Sequence, residues 1–299
     1  MTTTSRLSSE QSRIYTPARL ELEFSPAKWH ADREETLERH HHQGVESTRH
    51  WKANLDVRYG DGPLQTLDLF PGPHAQSPCC VVLHGGFWRI SDKAALNFIG
   101  GFLRSRGLAA VVANFDLCPT VTIDTIVDEV RELLDWVAIN GVEVGIAPER
   151  LLLFGHATGA HLAAMALLQN TKSEPANWQS KIVGSFLLSG LYDLRQAPNL
   201  SVNSILKLDN VSALRNSPLF HHDFHTRAPV IIAAAQLETA EFQAQSKDMA
   251  ARLRDYGTTV REFTVAGAGH FSILDAILEP DCTAMCSFVD LAFSEADDV

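Results

Sequence analysis

LLLFGHATGAHL, residues 151–162, joins a short apolar run to an apolar helical pattern through two glycines, Gly155 and Gly159. The apolar run Leu151–Phe154 predicts a buried strand, and the pattern over Ala160–Leu168 predicts a helix. Two glycines at this spacing let a strand and the following helix approach closely at a tight turn. The residue between them, Ala157, is therefore predicted to project from that turn.

Strand-like and helix-like runs alternate on both sides of this stretch. Two helices are predicted, over Ile123–Ile139 and Glu241–Asp255. The other predicted strands are Leu55–Tyr59, Gln65–Phe70, Cys79–Leu83, Leu108–Asn114, Ile182–Ser189, Val230–Ala235 and Val260–Val265, the last three expected to be buried. The first two should pair antiparallel around the turn at 60–63. The alternation predicts a mostly parallel, doubly wound α/β sheet with helices on both faces and ligands at the carboxyl ends of the strands.

The chain length of 299 residues suits one α/β domain with additions. We assign residues 53–299 to that domain and residues 1–52 to an N-terminal extension. A second segment outside the regular pattern, residues 191–220, lies between two predicted strands. Because long connections in compact domains often cover a site, both segments are candidate covers.

Composition excludes several classes of partner. The formal net charge is -11 and no basic stripe is visible, so no nucleic-acid partner is expected. No apolar run approaches the roughly 18 residues of a membrane helix, so no membrane partner is expected either. The first 12 residues lack the features of a secretory signal, and the five cysteines are odd in number, which favours a reducing compartment and thus the cytoplasm. The sequence leaves the oligomeric state open, a homodimer included.

No metal or other cofactor is expected. Cys282 and Cys286 have no further ligand at metal-binding spacing. Metal-type side chains also cluster at His40, His41 and His42, and at His221, His222, Asp223 and His225. Histidines on a solvated helix or loop are the favoured interpretation of both clusters.

The turn at 155–159 has the form of a nucleophile elbow, G-x-S-x-G, with its serine replaced by Ala157. An alanine has no lone pair with which to attack a carbonyl. Thr158 is a weak candidate for a substitute nucleophile, because its side chain should point elsewhere while its backbone N–H faces the site. The turn therefore predicts a site for acyl chemistry that lacks its nucleophile.

A second motif, HGGFW at residues 84–88, follows the predicted strand Cys79–Leu83. The backbone N–H groups of Gly85 and Gly86, with that of Thr158, could stabilise the negative charge of a tetrahedral intermediate. A glycine-rich turn without this role is the alternative. The position of the motif before the elbow favours the oxyanion role.

His270 follows the last predicted core strand and occupies the position of a catalytic base. An acid should lie after the strand Val230–Ala235 to orient the imidazole. Glu238 is preferred because it lies in the loop, and Glu241, in the first turn of the next helix, is the alternative. Both glutamates could instead cap that helix.

Together these segments resemble the kynurenine formamidase (arylformamidase) family of α/β-hydrolases. The resemblance rests on HGGFW at 84–88, NFDLCP at 114–119, GHATGAHL at 155–162, SGLYDL at 189–194, EF and QS at 241–242 and 245–246, and HFSI at 270–273. The family reads GHSAGAHL at the elbow, so its serine corresponds to Ala157. The resemblance implies His270 as base, Glu238 as acid and a small aromatic amide or ester as substrate. It also implies substrate contacts from residues around the two motifs, namely His84, Phe87, Trp88 and Phe271. Packing beneath the N-terminal segment is the alternative for Phe87 and Trp88.

Three functions remain open from the sequence. The favoured one is hydrolysis of an aryl formamide, amide or small ester, disabled at Ala157 by an engineered serine-to-alanine change. A natural lyase or isomerase that uses His270 as its base is the second, and a ligand-binding protein derived from a hydrolase is the third. The presence of every other catalytic part favours the first.

Overall fold

The computed structural model describes residues 13, 15–26, 33–168, 178–222, 224 and 228–294. The Ser/Thr-rich stretch over the first 12 residues lies outside these ranges. Among the helices described, none is long and apolar enough to cross a membrane.

An eight-stranded sheet forms the centre of the molecule. Its strands are β1 (Asn54–Arg58), β2 (Thr66–Phe70), β3 (Pro78–Leu83), β4 (Ala109–Ala113), β5 (Ala147–His156), β6 (Ile182–Leu188), β7 (Val230–Ala235) and β8 (Val260–Val265). They lie in the order β1-β2-β4-β3-β5-β6-β7-β8. The β1–β2 and β2–β4 pairs are antiparallel and the other pairs are parallel. The predicted doubly wound, mostly parallel sheet is confirmed.

Ten α-helices surround the sheet in the part of the chain described. They are α1 (Pro17–Glu23), α2 (Arg33–Trp51), α3 (Asn97–Ser105), α4 (Ile123–Asn140), α5 (Thr158–Ala166), α6 (Asn203–Leu206), α7 (Asn210–Arg215), α8 (Ala240–Asp255), α9 (Ile273–Ala276) and α10 (Thr283–Leu291). The candidate cover segment at 191–220 thus contains α6 and α7.

Alternate residues of the central strands enter two separate apolar cores, as the two-residue period of a strand requires. On β3, Val81 packs in a core with α4, α5 and α8. Its neighbour Val82 packs in the core on the opposite face, with α3 and α10. Both side chains are fully buried. Helices therefore cover both faces of the sheet, and the loops that carry chemistry are left at the strand ends.

Two predictions about individual elements need correction. The strand Val260–Val265 is not buried, because β8 lies next to β7 at the edge of the sheet that the described residues form, and Arg261, Glu262 and Thr264 are exposed. The helix after the elbow begins at Thr158 rather than Ala160, and β5 extends to His156. Strand and helix are therefore separated by Ala157 alone.

Candidate active site

Ala157 connects β5 to α5 in a strained backbone conformation, with φ of 54° and ψ of -119°. Its N–H donates to the carbonyl oxygen of Leu188 on β6 at 2.9 Å. The flanking glycines are required by space: a Cβ on Gly155 would lie 2.3 Å from the carbonyl oxygen of Gly159, and one on Gly159 would lie 2.0 Å from that of Leu83. The turn has the geometry of a nucleophile elbow, with a methyl group where the nucleophile would stand.

The loop after β3 lies directly against the elbow. A Cβ added to Gly85 would lie 3.0 Å from the Cβ of Ala157. Gly86 has φ of +114°, and a Cβ there would lie 1.9 Å from the carbonyl oxygen of Ile90. Thr158 is the first residue of α5, where backbone N–H groups have no acceptor within the helix. Gly85, Gly86 and Thr158 all line the cavity that Ala157 enters, as an oxyanion hole requires.

His270 and Glu238 form a close pair beside this elbow. The Nδ1 atom of His270 lies 2.5 Å from Oε1 of Glu238, and both side chains are buried. The second carboxylate oxygen accepts hydrogen bonds from the hydroxyl of Ser189 at 3.0 Å and from the N–H of Ala235 at 2.8 Å. Nδ1 is engaged by the carboxylate, so Nε2 is the ring atom that would exchange a proton with a nucleophile. His270 and Ala157 line the same cavity.

Glu241, the alternative acid, has other partners. Its carboxylate accepts hydrogen bonds from the hydroxyl of Tyr15 and from Nε2 of Gln245, each at 2.7 Å, and it lies 3.3 Å from Nη1 of Arg13. Burial raises the pKa of the Tyr15 phenol, so this group donates over the whole physiological range. Glu241 therefore joins the N-terminal segment to α8, while Glu238 is the glutamate that contacts His270.

His156 also belongs to the site, although the sequence analysis did not identify it. Its ring is buried, and Nε2 lies 2.9 Å from the carbonyl oxygen of His270, with the two rings 4.8 Å apart. Burial holds the pKa of His156 well below its ordinary value, so the ring is neutral and donates through Nε2. The elbow is thereby tied to the loop that carries the base. The position of His156 inside the elbow motif was the one sequence signal for this role.

Aromatic side chains line the cavity near the base, but not all of those expected. Phe87 and Phe271 line it, together with Phe242, whose ring lies 4.8 Å from that of His270. The assignment of Trp88 to substrate binding is wrong. Its side chain is 1% exposed within the apolar core, where Nε1 donates to Nδ1 of His161 at 3.3 Å.

His84 lines the cavity wall with its ring held by neighbours. The ring stacks on Phe115 at 4.4 Å between centroids, and Nδ1 donates to the carbonyl oxygen of Gly85 at 2.6 Å. Burial lowers the pKa of His84, so it is neutral at pH 7. Its contact with Gly85 supports the oxyanion loop from beneath.

The cavity has a volume of about 840 Å³, enough for a small aromatic ligand. Both candidate cover segments reach it. Phe24 and Leu37 contribute from the N-terminal segment, and Leu200 and Val202 contribute from residues 191–220. The places of these segments in the sequence predicted that they cover the site. Which of their apolar side chains line the cavity depends on tertiary packing, so the sequence did not identify them.

In the two histidine clusters, His40, His221 and His222 each contact a different partner. His40 is buried on α2, stacks on Phe98, and has Nε2 3.0 Å from a carboxylate oxygen of Asp275. His221 bonds to the carbonyl oxygen of Arg215, and His222 bonds to the hydroxyl of Tyr256. Asp223 and His225 lie outside the described residues.

Comparison with known proteins agrees with this geometry. A family model described as the alpha/beta hydrolase fold matches residues 80–274. The kynurenine formamidase of Danio rerio is 30% identical over 273 residues, which cover 87% of this chain and 91% of that protein. The kynurenine formamidase of Salmo salar is 31% identical over 276 residues, which cover 88% and 92%.

A solved structure supports the fold independently. A protein from Silicibacter sp., provisionally described as a thioesterase, superposes with a TM-score of 0.77 at 21% identity over 91% of this chain and 98% of that one. The alpha/beta hydrolase match includes the elbow and the base, and the two relatives match most of the chain. The protein therefore belongs to the α/β-hydrolase family of enzymes and, within it, to the kynurenine formamidase family.

Proposed function

We propose that the chain is a Ser-His-Glu hydrolase of aryl formamides, related aryl amides or small aryl esters, in a form whose nucleophile has been replaced by alanine. The observation that carries this proposal is the intact pair of His270 and Glu238 in a cavity that also contains Ala157. A buried histidine–carboxylate pair beside a strained elbow is the arrangement with which a hydrolase activates a nucleophile at that elbow. This form should bind substrate without forming an acyl-enzyme.

The chemistry follows from a serine at position 157. Its hydroxyl oxygen would attack the formyl or acyl carbon while Nε2 of His270 accepts the hydroxyl proton. The N–H groups of Gly85, Gly86 and Thr158 would stabilise the oxyanion. His270 would then protonate the leaving amine or alcohol, and a water molecule that His270 deprotonates would release the acid from the serine ester. Glu238 would stabilise the imidazolium in both halves of the reaction.

The lining of the cavity supports an aromatic substrate. Phe87, Phe242 and Phe271 present apolar faces near the base. An aryl ring can stack on such side chains or meet them edge to face, which contributes about 0.5–1.5 kcal/mol for each pair beyond burial of its area. The relatives named kynurenine formamidases support a formamide as the bond that is cleaved.

The proposal also includes a small-molecule partner and action in the cytoplasm. The five cysteines are free, and Cys79, Cys80 and Cys118 are buried. Free thiols persist most readily in a reducing compartment.

Turnover by the Ala157→Ser variant tests this proposal. We expect hydrolysis of p-nitrophenyl acetate and N-formylkynurenine, at a rate on the order of 10⁴-fold or more above that of the double variant Ala157→Ser/His270→Ala. The double variant keeps the new serine and removes the base, so it is the matched control. Equal rates in the two variants, or no turnover of either substrate by a folded Ala157→Ser protein, would reject the hydrolase mechanism. Conversion of another compound by the alanine form would favour a lyase or isomerase instead.

A further inference from the structure

His40 lines the cavity and has no role in the mechanism above. Its side chain is 1% exposed, and its ring stacks on Phe98 with 4.4 Å between the ring centres. Among the residues that the structure describes, none forms a hydrogen bond with Nδ1 of His40. A buried polar atom without a partner is unfavourable, so its place in the cavity wall favours a ligand that supplies one.

Asp275 determines which kind of ligand atom can pair with this nitrogen. Its Oδ1 lies 3.0 Å from Nε2 of His40, and its Oδ2 accepts a hydrogen bond from Nη2 of Arg39 at 2.7 Å. A carboxylate this close to Nε2 favours the neutral tautomer that carries its proton there. Nδ1 then keeps its lone pair and acts as a hydrogen-bond acceptor. His40 and Asp275 thus form a second histidine–carboxylate pair, with the two ring nitrogens exchanged relative to His270.

His40 lies close to both the elbow and the aromatic wall of the cavity. Burial, charge repulsion from His270 and charge repulsion from His40 hold the pKa of His156 below its ordinary value, so His40 is near this elbow residue. Arg33, two turns before His40 on α2, has its guanidinium carbon 5.6 Å from the ring centre of Phe271. The face of α2 that carries Arg33 and His40 therefore lies along the wall where an aryl leaving group would extend.

The carboxylates that line the same cavity are held by other groups. Glu21 accepts hydrogen bonds from the backbone N–H and the hydroxyl of Ser201. Asp92 accepts from the N–H of Ala94 at 2.8 Å and from Nδ2 of Asn114 at 2.7 Å. These contacts make both carboxylates poorer acceptors for a ligand than Nδ1 of His40.

An amide substrate presents a donor that suits this acceptor, and an ester does not. When the amide carbon is attacked, the nitrogen becomes pyramidal, and its lone pair must face Nε2 of His270 to be protonated. The N–H of the same nitrogen then faces elsewhere and needs its own acceptor. Nε2 of His84 also lacks a partner among the described residues, but it lies beneath the oxyanion loop, on the side of the carbonyl oxygen. His40 is on the side of the leaving group.

We propose that His40 is a substrate-binding residue whose Nδ1 accepts the N–H of the scissile amide, so that the site favours aryl amides over the corresponding aryl esters. Asp275 is the positioning residue that fixes the tautomer. With an ester, the leaving oxygen would turn a lone pair toward that of Nδ1, and the two would repel. The identity of the bond rests on the proposed function; the acceptor role of Nδ1 rests on the contacts of His40 alone.

A matched pair of ligands tests this contact in the protein as it stands, with Ala157 in place. Isothermal titration at pH 8 compares acetanilide with phenyl acetate, which has an oxygen in place of the N–H. One neutral hydrogen bond changes an affinity by about 3–10-fold, so His40→Leu should lower the affinity for acetanilide relative to phenyl acetate by that factor. His42→Leu is the control, because His42 is exposed on the same helix and does not line the cavity.

Two further variants separate the contact from damage to the fold. His40→Gln offers an amide oxygen as acceptor and should retain part of the preference for acetanilide. In the Ala157→Ser background, His40→Leu and Asp275→Asn should each lower kcat/KM for 4-nitroacetanilide by about tenfold relative to kcat/KM for p-nitrophenyl acetate. A purely structural role of either residue would lower both values alike.

An affinity ratio that is unchanged in His40→Leu, or that changes equally in His42→Leu, would overturn the proposal, as would no binding of either ligand. The titration needs no turnover, so its result is separate from that of the hydrolase test. A ratio that falls as expected, together with an inactive Ala157→Ser variant, would reject the hydrolase mechanism and keep His40 as the acceptor.

Discussion

The imidazole Nε2 of His156 donates a hydrogen bond of 2.9 Å to the backbone carbonyl oxygen of His270. This contact joins two residues that are 114 positions apart in the chain, the one that precedes Ala157 in the elbow and the one that supplies the base. Because Ala157 is adjacent to His156, this buried side chain links the backbone at the nucleophile position to the backbone of the base. His156 is thus a positioning residue.

Loss of this contact should slow the chemical step more than it weakens binding. In an Ala157→Ser background, His156→Ala is expected to lower kcat by about 10–100-fold with a smaller change in KM, because a small misplacement of reacting groups has large effects on rate. His156→Gln keeps an N–H donor and should restore part of kcat. Steady-state kinetics with p-nitrophenyl acetate gives both parameters. A purely structural role would predict no rescue by glutamine and a fall in kcat proportional to the loss of folded protein.

The two candidate acids should respond differently to the same substitution. In the Ala157→Ser background, Glu238→Gln should lower kcat/KM by about 10⁴-fold, because the amide cannot stabilise the imidazolium and can force the wrong tautomer on His270. Glu241→Gln should retain activity to within about tenfold and lower the melting temperature, because it loses the ion pair with Arg13. The comparison needs kinetics and thermal unfolding of both variants. A larger kinetic effect at Glu241 would reassign the acid.

Stability should fall as the solution is acidified below about pH 6.5. Burial lowers the pKa of His84, His156 and His161, the last to about 4. Between the folded and unfolded pKa values, the unfolded chain binds a proton at each of these histidines and the folded chain does not. The stability that each histidine contributes is therefore complete above its unfolded pKa. Below that pKa it falls by up to about 1.4 kcal/mol per pH unit. Glu129 acts in the opposite direction, since burial raises its pKa to about 7.

Urea unfolding at pH 7.5, 6.5, 5.5 and 5.0 measures this dependence. Burial also raises the pKa of Asp135, so three histidines oppose two carboxyl groups, and the net free energy of unfolding should decrease with acidification. The His161→Gln variant should show a shallower decrease than the unmodified chain, since it removes one of the groups that exclude a proton. A free energy of unfolding that is flat or rises between pH 6.5 and 5.0 would disagree with this account.

Most of the fold could be predicted from local sequence patterns. Apolar runs such as Leu151–Phe154 identify buried strands, and the spacing of Gly155 and Gly159 requires a sharp turn, so the central sheet and the elbow were predictable. The strand β8 was predicted to be buried although its sequence, VREFTV, contains Arg261 and Glu262. Internal parallel strands are near-continuous apolar runs, so these two charged residues were a signal for an edge strand that the prediction did not use.

The site was predictable where its residues follow strands and unpredictable where they come from elsewhere. Glu238 and His270 follow β7 and β8, so the predicted positions of these strands identified both residues as candidates for the acid and the base. The direction of Trp88 was misjudged because two adjacent residues with positive φ, Phe87 and Trp88, send their side chains into different environments. Arg33, on a helix far from the elbow in sequence, enters the cavity through tertiary packing alone.

The central claim is that the site is complete except for the nucleophile at position 157. Intact-protein mass spectrometry of the Ala157→Ser variant after treatment with a fluorophosphonate tests it most directly. We expect one phosphonyl adduct, located at the new serine by peptide mapping, and no adduct on the unmodified chain under the same conditions. A triad contributes roughly 10⁶-fold to the reactivity of its nucleophile, so labelling should be fast and complete rather than marginal. A folded Ala157→Ser protein that remains unlabelled, or label at Thr158 in the alanine form, would contradict the account.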